Sequence, residues 1–162
     1  MNGERLLRRS PPSGTILVGL LALLVGCQPV DERPGTWLRG EPFSAPLQDW
    51  SFTDEIDEIF IETRPWYGLP HSTTIWCVTR QGKLYIGSYG DEEKAWEKAV
   101  AHHPGARLQI GNRLHPVVIE PIRDPQLSAE LDLRYETKYD MEAVFGKDLP
   151  AWRYYRVEQR RP

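Results

Sequence analysis

The chain has 162 residues, enough for one domain around one core, and 40% of them are hydrophobic. Its formal net charge is −3. A mildly acidic surface argues against a general nucleic-acid binder.

Arg5, Arg8 and Arg9 precede an uncharged apolar run from Ile16 to Gly26. The run is short for a membrane span, and basic-then-apolar is the order of a secretory signal. It ends Leu24-Val25-Gly26-Cys27, a small residue before a cysteine that resembles the bacterial lipobox. The resemblance implies cleavage before Cys27 and lipid on its thiol and amine. Several acyl chains anchor firmly where one holds only marginally. Residues 1–26 then read as a signal peptide, and the protein as lipid-anchored in a bacterial cell envelope, facing the periplasm. Gln28, rather than Asp, after the cysteine points to the outer membrane. The plainer alternative is an ordinary signal peptide with an incidental cysteine, or an uncleaved anchor. Cleavage takes Glu4 away with three arginines and leaves the mature chain more acidic. With Cys27 lipidated, Cys77 stands alone and no intramolecular disulfide forms. Cys77 lies in an apolar strand pattern and reads as a small buried hydrophobe.

Residues 27–47 hold Pro29, Pro34, Gly35, Gly40, Pro42 and Pro46 without periodicity. They read as the lipidated cysteine and a flexible tether, with Trp37 and Phe43 able to pin part of it to the domain. The domain is expected over residues 48–162. Residues 49–58 predict a short helix with Trp50, Phe52 and Ile56 as its apolar contacts, and residues 59–63 the first strand. Pro65, Gly68 and Pro70 make a loop. Two strands follow as a hairpin across Gln81-Gly82, a pair suited to a two-residue turn. In the first arm Ile75, Cys77 and Thr79 alternate with Trp76, Val78 and Arg80. In the second, Leu84 and Ile86 alternate with Tyr85, so one set faces inward.

Residues 91–103 predict a helix. Asp91, Glu92 and Glu93 fall in its first turn, where negative charge meets the positive end of the dipole, and Trp96 and Val100 lie on its apolar face. Pro104-Gly105 stops it. Residues 106–110 alternate as a strand, and residues 114–122 are extended, with Pro116 and Pro121 confining them to an edge or a bulge. Asp124-Pro125 opens a helix with Leu127, Leu131 and Tyr135 as its stripe. Residues 151–157 close the chain as a strand, Trp152, Tyr154 and Arg156 on one face and Arg153, Tyr155 and Val157 on the other.

No catalytic motif of known spacing is present. His102 and His103 point to different sides of a helix, and none of the four histidines has metal-ligand spacing, so no metal site is expected. The strand–turn–strand–helix order of residues 71–122 carries a family resemblance. A polar lead-in and apolar strand from Leu69 to Trp76, a Gly turn and second strand from Gly82 to Ser88, Lys94 and Trp96 in the helix, and the stop at His102-His103-Pro104-Gly105 form one pattern. Trp152 to Arg156 adds the last strand. The pattern resembles the split β-barrel superfamily of pyridoxamine-phosphate-oxidase-like flavoproteins and deazaflavin-dependent nitroreductases. The resemblance implies a mainly β (α+β) fold, an antiparallel split barrel of about six strands with two or three helices. It also implies an FMN or deazaflavin cofactor, an oxidoreductase-like function and a homodimer. The cofactor phosphate would lie against His71, Ser72 and Thr73, and against Ser88, Tyr89, Lys94 and Trp96. Asp91, Glu92 and Glu93 oppose an anion there. On the residues alone a second reading stands beside the first: a cofactor-free binding or structural lipoprotein that has kept the barrel and lost the site.

Overall fold

The computed structural model describes residues 35–160. The segment 1–26, read as a signal, and Cys27 lie outside the described residues. Eight strands form one sheet: β1 (Glu41–Pro42), β2 (Ile59–Thr63), β3 (His71–Ile75), β4 (Cys77–Arg80), β5 (Lys83–Tyr89), β6 (Gly105–Ile110), β7 (Arg113–Pro121) and β8 (Trp152–Gln159). The helices are a 3-10 turn at Ser51–Glu55, α1 (Ala95–His102), α2 (Pro125–Lys138) and α3 (Met141–Phe145). The sheet is ordered β3-β2-β6-β7-β8-β5-β4, antiparallel throughout, and β1 adds to β7 in parallel. The expected mainly β architecture is found, with more strands than the six anticipated.

The extra strand in the middle has a clear cause. Residues 71–80 are not one straight strand. The pairing stops at Trp76, so β3 and β4 stand at opposite ends of the sheet although one residue separates them. The chain thereby joins the two ends and curls the sheet into a barrel. The Trp76 carbonyl accepts the Gly87 N–H at 3.4 Å and the Tyr135 hydroxyl at 2.9 Å. Its indole stacks on Tyr139, centroids 4.5 Å apart and planes within 10°. Next to it, the Lys138 ammonium donates to the carbonyls of Thr53, Ile56 and Cys77 at 2.7–2.9 Å. The C-terminal end of α2 therefore clamps the bend through three successive groups.

Period-two alternation divides the apolar residues into two cores. Ile61, Leu84, Ile86, Leu108, Val117, Ile119 and Val157 fill the barrel, and Trp96 and Val100 of α1 pack onto them. Val78, Tyr85 and Tyr154 point the other way and are covered by Leu131 and Tyr135 of α2, with Tyr139 and Met141 beyond it. Asp124 caps α2 by accepting the Gln126 N–H at 2.9 Å, with Pro125 at the first helical position.

Three expectations change. The helix read at 91–103 begins only at Ala95, so Asp91, Glu92 and Glu93 lie in the preceding connection and not in its first turn. Glu97 takes the capping role, accepting the Lys94 N–H at 2.7 Å. Second, the strand carrying Pro116 is central, between β6 and β8, not an edge. Pro116 is tolerated because it stands where β7 changes neighbour: β1 pairs Arg113 and Leu114, and β8 pairs residues from Val117 onward. A missing N–H at that gap breaks no ladder bond. Third, the helix over 49–58 shrinks to one 3-10 turn that leaves Phe52 exposed.

Of the stretch read as a tether, residues 35–47 run along the barrel. Gly35 N–H donates to Ser72 Oγ at 2.8 Å, and Leu38 N–H to Glu62 at 2.6 Å, while Glu62 is ion-paired to Arg107. Phe43 packs on His115, and Leu47 N–H donates to Gln159. Among the described residues no helix is long and apolar enough to cross a membrane.

Candidate functional site

Among the described residues, the bend at Trp76 leaves one edge of β3 without a strand partner, because β3 pairs only with β2. Facing that edge is the end of β5. Between them lies a cleft of about 490 Å³, within the size range of small-molecule sites. One wall is β3, with His71, Thr73 and Thr74. The other is Gly87, Ser88 and Tyr89 of β5, with Lys94, Ala95 and Trp96 at the start of α1. Trp76, Trp152, Phe145 and Val144 complete it, and Glu58 lies at its border.

The aromatic side chains form one assembly. Trp152 lies 5.5 Å from Tyr89, 6.0 Å edge-on to Phe145 and 6.4 Å from Trp76, nearly parallel to the last. Such a wall suits a flat apolar ligand. Gly87 makes this packing feasible: a Cβ there would sit 2.9 Å from the Trp152 ring and from Tyr135 Oη. The Lys94 ammonium lies 4.4 Å above the Tyr89 ring, an exposed cation held at the mouth. Among the described residues, two buried polar atoms of the lining have no hydrogen-bond partner, Nδ1 of His71 and Nε1 of Trp152. Unsatisfied buried polar groups are costly, and a ligand with polar edges would relieve them.

Next to the cleft lining lies a carboxylate that the sequence did not single out. Glu97 is only 2% exposed. It accepts from Ser88 Oγ at 2.6 Å, Lys94 N–H at 2.7 Å, Tyr155 Oη at 2.7 Å and Arg153 Nε at 2.7 Å. Burial pushes its pKa up, but the hydrogen bonds from Arg153, Ser88, Lys94 and Tyr155 more than offset this and hold it at about 2. Arg153 also donates to the carbonyls of Gly90 and Glu92. The network ties β5, β8 and α1 together under the Lys94 side of the mouth.

Six of the seven residues singled out from the sequence line this one cleft: His71, Thr73, Ser88, Tyr89, Lys94 and Trp96. Ser72 does not. It is 3% exposed and its hydroxyl oxygen is engaged by Gly35. Ser88 contributes little as a donor, since its O–H is committed to Glu97. Trp96 is mostly core, edge-on to Tyr155 at 4.9 Å. Trp152, Phe145 and the Glu97–Arg153 pair were not singled out. Trp152 and Arg153 are adjacent on the final strand, but nothing local places them against residues 50 or more positions earlier.

For a phosphate-bearing flat cofactor the residues fit in part. The aromatic wall, the unpartnered His71 and Trp152 nitrogens, Thr73, Thr74 and Lys94 match such a group. Glu58 and the nearby acidic connection do not.

A profile for a bacterial family described as "Uncharacterized protein conserved in bacteria (DUF2255)" matches residues 51–148, more than half of the chain. The chain belongs to DUF2255. The matched span of this DUF2255 protein includes every predicted cofactor-site residue, leaves Cys27 outside and ends before β8. No curated protein matches the sequence. Among solved structures, the DUF2255 fold is similar to the conserved hypothetical protein Rv2991 from Mycobacterium tuberculosis. That pair has a TM-score of 0.52 and 14% identity over 68% of this chain and 77% of the other. It is also similar to a protein described as a candidate pyridoxamine 5'-phosphate oxidase from Listeria innocua, with a TM-score of 0.50 and 12% identity over 67% and 87% of the two chains. A structure described as a domain-swapped dimer matches with a TM-score of 0.50 and 16% identity over 64% and 81%. The chain thus shares the split-barrel fold of these structures.

Proposed function

We propose that this chain is a lipid-anchored envelope protein whose cleft binds a flat, phosphate-bearing ring of the flavin or deazaflavin class, as part of an oxidoreductase-like function. The observation that carries the reading is the cleft between the unpaired edge of β3 and the end of β5, with five aromatic side chains, His71, Thr73 and Lys94 on its walls. Lys94 and the β3 hydroxyls would hold the phosphate end. Trp76, Tyr89, Phe145 and Trp152 would pack on the ring, and the His71 and Trp152 nitrogens would meet its polar edge. A flavin or deazaflavin supplies hydride or electron transfer when bound, and the protein supplies orientation and water exclusion. A homodimer belongs to the same reading by analogy of fold.

The anchor part rests on the basic-then-apolar start and on Cys27 after Gly26. Palmitate fed to the producing cells is expected to label the wild-type protein and not Cys27→Ser; equal labelling of both removes the anchor.

The cleft part is tested with the purified protein and added FMN or deazaflavin. Ligand fluorescence is expected to be quenched. Lys94→Glu is expected to weaken binding about tenfold or more, because a charge-assisted contact of roughly 1.5–3 kcal/mol becomes a repulsion. A specific observation favours the second reading, a barrel without cofactor: Ser88 is spent on Glu97, and Glu58 borders the cleft. A colourless protein that leaves the fluorescence of both ligands unchanged decides for that reading.

A further inference from the structure

The loop between β2 and β3, residues 64–70, is the most exposed apolar feature of the fold. Trp66 is 93% exposed, with Leu69 at 67% and Tyr67 at 50%. It is a built turn: Gly68 N–H donates to the Pro65 carbonyl at 2.8 Å with Gly68 at φ 79°, and Trp66 and Tyr67 lie edge-on at 5.6 Å. Exposed tryptophan on a soluble face needs a reason.

Two observations say what covers it. First, the loop springs from the Thr63–His71 rung, and the next rung, Glu62–Ser72, is where the N-terminal arm lands. Gly35 bonds Ser72, Leu38 bonds Glu62, and between them Trp37 is 56% exposed. Gly35 is eight residues from Cys27, a reach of about 28 Å at full stretch. A lipid on Cys27 therefore keeps this end of the barrel close to a bilayer. Second, the charge is suited to it. Between Thr63 and Ser72 an otherwise acidic chain has no carboxylate, and exposed Arg64 and Arg39 flank the aromatic side chains. Aromatic rings with basic neighbours are the composition of the membrane–water interface.

We propose that the 64–70 loop is a second bilayer contact, in which Trp66, Tyr67 and Leu69 enter the interface of anionic lipid. This rests on the lipid anchor at Cys27. Because the loop runs directly into His71, it sets the cleft mouth at the membrane surface and gives lipid-soluble ring compounds a route into it.

The test uses the full lipidated protein in phosphatidylethanolamine/phosphatidylglycerol vesicles whose acyl chains carry bromine, with tryptophan fluorescence as readout and palmitate incorporation measured on the same preparation. Wild-type fluorescence is expected to be quenched, and Trp66→Ser to lose most of the quenching at unchanged palmitate incorporation. Trp66 has almost no contacts to lose, so the variant should fold. Labelled protein whose quenching is the same in both forms overturns the loop contact and leaves the anchor standing. So does a dimer in detergent that Trp66→Ser dissolves without bromine quenching, which assigns the loop to a second copy. Unlabelled protein removes the anchor and, with it, this inference.

Discussion

Arg153→Ala is expected to destabilise the protein by about 3–5 kcal/mol, the cost of leaving a buried carboxylate without its counter-charge. Glu97 is 2% exposed and has Arg153 as its only ion-pair partner among the described residues. Ser88, Tyr155 and the Lys94 N–H stay, but none of them carries charge. Urea unfolding at neutral pH measures the loss, and a value below about 1 kcal/mol would show that water reaches Glu97 and the network is not closed. The pH dependence gives an independent reading. The Glu97 pKa is depressed in the folded protein, from 4.5 to about 2. Its contribution is therefore complete above pH 4.5 and is lost as the pH falls toward 2. The total is about 3 kcal/mol at 1.36 kcal/mol per pKa unit. Wild-type stability should fall over that window, and Arg153→Ala should show a flatter acid limb, since its Glu97 no longer has a depressed pKa to give up.

Gly87→Val is the second large effect expected. Gly87 does not need glycine for its backbone, whose φ is not among the positive values. It needs glycine for space, because Trp152 and the Tyr135 hydroxyl already lie 2.9 Å from where a Cβ would be. Overpacking of this kind costs about 1–3 kcal/mol. Only one of the two neighbours can give way. Tyr135 is fully buried and bonded to the Trp76 carbonyl, so Trp152 must move, and the direction open to it is the cleft. Calorimetry should show a lower Tm, and a ring ligand of the cleft should bind less well than the stability loss alone explains. Unchanged binding would mean that Trp152 is not part of the ligand wall.

Much of this fold can be read from alternation. Leu84 and Ile86 face the barrel and Tyr85 the helices, as period two requires, and Tyr155 and Tyr154 divide likewise. The break at Trp76 could not be seen that way. Ile75 and Cys77 both face the barrel interior, so the pattern continues through the bend as though the strand were straight. Pro116 misled for a related reason: the edge rule treats a strand as having one neighbour along its whole length, and β7 has two in succession. In the cleft, His71, Thr73, Ser88, Tyr89, Lys94 and Trp96 came together because the family order of strands brings them together. Glu97 stayed hidden because a glutamate on a short helix looks like a solvated one, and its partner Arg153 is 56 positions away. Trp152 reaches the wall through the pairing of β8 with β5, opposite Tyr89, and Phe145 through α3, and local periodicity is silent on both.

Because covalent backbone crosses from β3 to β4 at Trp76, with Tyr135, Tyr139 and Lys138 fastened around it, the seam cannot part at that end. At the other end, His71 follows directly on the 64–70 loop. The two lips are thus joined like a clothes-peg at the tryptophan, and any guest the cleft takes would meet a jaw of one gauge there.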